Sequence, residues 1–188
     1  MGKVLMIGLG GTGIKTMVQI KQQLMGRSPE GNLPDNVEIL GIDTLSSPEK
    51  VDGAYDPSAN FGEQKEIGLD DTEFVHRSGY LGTFLNNNKK GHLDWMCADW
   101  YLNHPDSTII LTPEDGAGMY RQIGRLTLMG LLEAGRNSLL YRRLRDKISN
   151  FTGGDAKFTV LVFASLAGGT GASMVGDIPY LVKEVAKH

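Results

Sequence analysis

Cysteine is almost absent. A single residue, Cys97, in a chain of 188 excludes an internal disulfide and suits a reducing compartment. An excess of positive charge is also missing. The formal net charge is −3 and the pI about 5.8, so no general field for nucleic acid is expected. No run approaches the ~18 consecutive apolar residues of a membrane span, and the N-terminus, Met1-Gly2-Lys3, does not read as a signal peptide. There is no internal repeat and no low-complexity tract. His76, His92 and His104 with Cys97 match no common zinc spacing, and no metal ligands are assigned. These absences leave a cytoplasmic globular protein. Its length suits one domain, residues 1–188, burying roughly 70% of its unfolded surface.

Glycine is the residue in excess. There are 25, about twice the usual ~7% share. Nine fall in three clusters: Gly8, Gly10, Gly11 and Gly13; Gly116 and Gly118; Gly168, Gly169 and Gly171. The third cluster is the most telling. Phe158 to Ala164 is a near-continuous apolar run, the pattern of a parallel strand covered on both faces. It leads into Ala167-Gly168-Gly169-Thr170-Gly171, where bare backbone can turn sharply and admit a ligand. A helix starting at Ala172 or Ser173 aims unpaired N–H groups and a positive dipole end at that turn, a place for phosphate.

The first cluster repeats the layout. Lys3 to Ile7 reads as a strand, and Ile14, Met17, Val18, Ile20 and Leu24 recur at helical spacing as far as Met25 or Gly26. Gly8, Gly10 and Gly13 fit the dinucleotide fingerprint, and Asp43 closes a second strand, Val37 to Ile42, where a ribose-binding acid would sit. A P-loop is rejected, because Ile14 breaks the Gly-Lys-Thr register and turns Lys15 away. Residues 45–106 are rich in Gly, Pro, Asn and Asp and read as an irregular insertion. Within it, helical candidates lie near residues 80–86 and 91–102, and Leu93, Trp95, Met96, Trp100 and Tyr101 form a small apolar group. Ser107 to Leu111 reads as a third strand, leading through Gly116-Ala117-Gly118 into a long helix whose pattern breaks near Gly135. The last helix runs from Ser173 to Lys187 with Pro179 in its early turns.

Taken together, the three turns resemble those of the tubulin/FtsZ-like GTPase superfamily, closest to the bacterial tubulin-like proteins. Ala167 to Ala172 resembles the tubulin signature loop, with Ser173 where the family has a further glycine. Ile7-Gly8-Leu9-Gly10-Gly11 is similar to the first phosphate loop of FtsZ, without the asparagine that follows there. Asp43-Thr44 resembles the second loop with its order reversed. Gly116-Ala117-Gly118, followed by Gly124-Arg125, resembles the third loop, which senses the γ-phosphate in the family. The resemblance implies an α/β fold, a three-layer Rossmann-like parallel sheet with helices on both faces. It also implies binding of GTP/GDP with Mg2+ carried by the phosphates, and self-association into filaments in a full-length protein.

On that reading, Gly10, Gly11, Thr12, Gly13, Ala167, Gly168, Gly169, Thr170 and Gly171 hold the α- and β-phosphates. Asp43 and Thr44 flank them, and Gly116, Ala117 and Gly118 reach the third phosphate. Charge-assisted contacts of ~1.5–3 kcal/mol each make micromolar binding attainable without a lysine. The family's base-reading helix and hydrolytic carboxylate follow the part present here. The chain is therefore expected to be a piece of a longer protein, slow or inactive as a GTPase alone, with no catalytic residue of its own and with residues 158–164 at an open sheet edge. Two other classes remain open: an NAD(P)-binding Rossmann domain of an oxidoreductase, and a non-catalytic interaction module that keeps its glycines for packing.

Overall fold

The computed structural model describes residues 2–46, 68–77, 117, 120–151 and 157–187. The chain forms strand β1 (Lys3–Leu9), helix α1 (Gly10–Arg27), β2 (Val37–Asp43), β3 (Phe74–His76), α2 (Arg121–Leu131) and a 3₁₀ turn (Gly135–Asn137). It continues through α3 (Leu139–Ser149), β4 (Phe158–Ala164), α4 (Gly169–Met174) and α5 (Ile178–Val185). The four strands form one parallel sheet in the order β3-β2-β1-β4.

Successive strand residues face opposite ways, and two apolar layers follow. On one face Met6 and Ile39 meet Met17 of α1, with Phe163 of β4 packed alongside. On the other, Leu5, Ile7, Leu9, Leu40, Ile42 and Val75 pack against Leu128, Leu140, Leu144, Met174, Ile178 and Val182. The result is the three-layer α/β arrangement that the family resemblance implies. Among the described residues no helix is long and apolar enough to cross a membrane.

Register places the working end of the sheet. Leu9 lies level with Ile42 on one side and Ala164 on the other. The next residues, Gly10, Asp43 and Ser165, therefore lie level at its carboxyl edge, where Asp43 is the last residue of β2 and still pairs with His76. Gly10 has φ +68, a conformation glycine adopts without steric cost, and it turns β1 into α1 within one residue. Gly13 then brings the helix down onto β4. A Cβ there would lie 2.9 Å from the Phe163 carbonyl carbon.

Several boundaries differ from the sequence reading. β1 continues through Gly8 to Leu9, so the first glycine belongs to the strand. The helix expected from Ala172 or Ser173 begins at Gly169, and it stops at Met174 before α5 starts at Ile178. Pro179 sits in the first turn of α5, where its missing N–H costs nothing, while its ring prevents a continuous helix through that point. The expected long helix is two helices, broken at Gly135 with φ +56. Ser138 caps the second, accepting the Tyr141 N–H at 3.3 Å. The insertion holds a strand, β3, which pairs with the end of β2. β4 is not covered on both faces, for Thr159 and Leu161 are exposed. It is the edge of the described strands, and Phe163 is its only residue in the α1 cluster. The expected strand 107–111, the helical candidates at 80–86 and 91–102, the apolar group around Trp95, and His92, Cys97 and His104 lie outside the described residues. His76 stacks on Phe74 with ring centroids 5.6 Å apart.

A buried ion pair holds the segment before β3. The Lys21 ammonium of α1 donates to Glu73 at 2.6 Å and to the Gly68 carbonyl at 3.0 Å. Glu73 also accepts the Asp70 N–H at 3.0 Å, and its own carbonyl accepts from the Gly41 N–H at 2.7 Å. Lys21→Ala strands the carboxylate in a buried place, and urea unfolding should show a loss of about 3–5 kcal/mol. Lys21→Met with Glu73→Leu should recover most of it, since neither charge then needs a partner. Gly13→Ala pushes a methyl into the β4 backbone and should cost ~1–3 kcal/mol by the same measurement.

Candidate functional site

Four segments line one cleft of about 260 Å³ at the carboxyl edge of the sheet. Leu9, Gly10, Gly11 and Thr12 come from the start of α1, and Asp43, Thr44 and Leu45 from the end of β2. Ala117 forms part of a third wall. Ser165, Gly168, Gly169, Thr170 and Gly171 come from the turn between β4 and α4. Ten of the fourteen residues singled out in the sequence thus share one cavity. Gly13 lies behind it, against Phe163. Ala167 is exposed and outside the lining, its N–H donating to the Ser165 hydroxyl at 3.2 Å. Gly116 and Gly118 lie outside the described residues.

The walls are close because their backbones carry no side chains where they meet. A Cβ on Gly10 would stand 3.1 Å from both the Gly171 nitrogen and the Thr170 Cβ, and one on Gly171 would stand 2.8 Å from the Leu9 carbonyl oxygen. Gly124 performs the same service from α2. A Cβ there would lie 2.7 Å from the Gly169 carbonyl oxygen and 2.9 Å from the Thr170 Cα. Gly124 was singled out in sequence as part of the third loop, and in the fold it seats α2 against the signature turn.

Among the described residues, positive potential at the cleft comes from backbone rather than from cations. α1 spans 18 residues, with no side-chain cap at Leu9 and no acid in its first turn. Its first N–H groups have no partner inside the helix, and its N-terminus carries about half a positive charge. α4 starts at the same cleft, also without a side-chain cap. It is only six residues long, so α1 supplies most of the dipole. No lysine or arginine is among the described lining residues. Lys15 is exposed and outside the cleft. Arg121 and Arg125 line a separate hollow with Gln122, Ala172 and Ser173. There Arg121 donates to the Leu166 carbonyl at 3.0 Å, and Arg125 lies 3.4 Å from Asp177.

On the β2 side the lining is a hydroxyl and carboxyl network. The Thr44 N–H donates to Asp43 Oδ1 at 2.7 Å, and the Thr44 hydroxyl lies 3.3 Å from the same oxygen. The Thr44 and Thr170 hydroxyls are 3.0 Å apart, and the Ala117 N–H donates to Thr44 Oγ1 at 2.9 Å. Asp43 is 3% exposed. Burial raises its pKa above the ordinary carboxylate value, with hydrogen bonds from the backbone of Thr44 and Leu45 and from the hydroxyls of Thr44 and Thr170 opposing the shift.

Sequence reasoning missed Leu9, Leu45 and Ser165. Their identities carry no ligand signal. What places them is strand register, since each neighbours a carboxyl-terminal strand end. The arrangement as a whole can hold an anion by backbone N–H groups and hydroxyls.

The Asp43 environment sets a pH dependence. Its folded-state pKa is raised, so its contribution to stability is full below the unfolded-state value and is lost as pH rises through the folded value. Asp43→Asn removes this slope. Urea unfolding should show the variant gaining on the wild type between pH ~4 and pH ~7.

Comparison with known proteins gave one match. The family model described as "Tubulin like" aligns with residues 5–188. No curated protein and no solved structure matches the chain. The family match spans both described glycine turns, the β2 end between them and all of the described sheet but the first two residues of β1. The chain belongs to the tubulin-like family.

Proposed function

We propose that this domain binds guanine nucleotide, GTP or GDP, in the glycine-lined cleft, as the nucleotide-binding part of a cytoplasmic GTPase that self-assembles. The observation that carries the proposal is the convergence of two uncapped helix starts, at Gly10 and Gly169, on one cavity of about 260 Å³. N–H groups of Gly10 to Gly13 and of Gly168 to Gly171 hold the α- and β-phosphates, and the Ala117 wall stands toward the third. Mg2+ carried by the phosphates would offset part of their charge beside the buried Asp43.

The dinucleotide alternative needs Asp43 free to accept from a ribose diol. Its carboxylate is buried and engaged by Thr44 and Thr170, which favours the phosphate reading over the ribose one. Assembly finds support in the open side of β4, where Thr159 and Leu161 are exposed on the edge of the described sheet.

Calorimetric titration with GTP, GDP, ATP and NAD⁺, each with Mg2+, tests the proposal. GTP and GDP should bind most tightly. Gly168→Asp is the informative variant, because a Cβ at Gly168 meets nothing within 4 Å and the fold should tolerate it. A carboxylate there should weaken GDP binding by about tenfold or more, the equivalent of one lost charge-assisted contact. Binding of NAD⁺ alone would make the cleft a dinucleotide site instead.

A further inference from the structure

The Ala117 wall is held by a hydroxyl. Ala117 is 3% exposed and donates its N–H to Thr44 Oγ1 at 2.9 Å. Thr44 is itself fixed from two other sides, by Asp43 through the 2.7 Å N–H contact and by the Thr170 hydroxyl at 3.0 Å. A threonine hydroxyl has one proton and two lone pairs, so Thr44 can accept from Ala117 while donating to Asp43 or Thr170. These contacts order the cleft walls. Gly10 abuts Thr170 and Gly171, Thr170 meets Thr44, and Thr44 meets Ala117. Ala117 is therefore the wall farthest along this chain of contacts from the α1 N-terminus. Its N–H is already committed to Thr44.

We infer that Thr44 is a positioning residue that sets the Ala117 wall through its hydroxyl, and through that wall determines how well the cleft distinguishes a nucleoside triphosphate from a diphosphate. The inference rests on the nucleotide-binding reading above. A group held at Gly10 to Thr12 and at Thr170 feels Thr44 as a neighbour. A further phosphate extending along the cleft feels the position of Ala117 as well. Loss of the hydroxyl therefore weakens triphosphate binding more than diphosphate binding.

The test is titration of the full 188-residue chain with GDP and with the slowly hydrolysed analogue GTPγS, both with Mg2+. The proteins are the wild type, Thr44→Val and Thr44→Ser. Valine keeps the shape and removes the hydroxyl; serine keeps the hydroxyl. Thr44→Val should lower the GTPγS-to-GDP affinity ratio about fivefold, as expected for one buried hydrogen bond, and Thr44→Ser should restore it. Equal weakening of both ligands would mean that Thr44 only supports the fold, and would overturn the inference. A ratio that rises in Thr44→Val would overturn it too, since Thr44 would then compete with the ligand for the Ala117 N–H. If Thr44→Val does not fold, a wild-type ratio in Thr44→Ala or an altered one in Thr44→Ser decides against it. Wild-type protein that binds neither ligand removes the nucleotide reading and this inference together. Wild-type binding with an unchanged ratio in Thr44→Val removes the inference alone.

Discussion

Four backbone segments, those of α1, β4, α4 and α2, meet at close range at the carboxyl edge of this sheet, and the rest of the molecule depends on that approach. α1 can lie against β4 only because Gly13 has no Cβ. The start of α1 can lie against the start of α4 only because Gly10 and Gly171 have none, and α2 can close over the same place only through Gly124. Interiors are packed to crystal density and respond to a single methylene. A methyl at Gly13, Gly124 or Gly171 would therefore force the neighbouring backbone to shift, and one at Gly10 would strain a φ of +68. The cleft is the space left where those elements converge and stop.

The same convergence explains its charge. The described lining residues include no lysine or arginine, so among them the positive potential comes from helix ends. An 18-residue helix aimed at the cavity without a competing side-chain cap supplies it. The β2 side adds the opposite kind of group. A carboxyl buried to 3% exposure would be costly as an anion, and four hydrogen-bond donors surround it. The network holds the end of β2, the Ala117 wall and the start of α4 at one point. The backbone on one side offers N–H donors at two helix starts, and the hydroxyls on the other hold the walls in place.

Much of this was legible in the residues. The strands read at 3–7 and 37–42 and the helix after the first glycine cluster followed from apolar pattern, and the glycine clusters marked where ligands could approach. Nine of the ten singled-out residues that line the cavity lie at or just after the end of a described parallel strand, where carboxyl ends gather on one edge. β3 was not legible. Three residues are too few to show a period, and their place is fixed by the Lys21–Glu73 pair and by pairing to β2, both long-range. The start of α4 was misplaced by several residues because a glycine run looks like a turn. Helix propensity there is poor, and packing against α1 and α2 overrides it.

Sequence by itself determined the class of fold and that two of the glycine turns would meet at one edge of the sheet, since both reside in local pattern: strand, glycine turn, helix, repeated. Tertiary structure alone decided what each glycine is for. Gly10 turns the chain and Gly13 and Gly124 seat helices, while Gly168 stands in open space. It alone also decided that Thr44 joins Ala117 to Thr170 across a sequence separation of 126 residues between the two threonines. The physical reason is that a missing side chain looks the same in any sequence. What it makes room for is known only when the other backbone arrives.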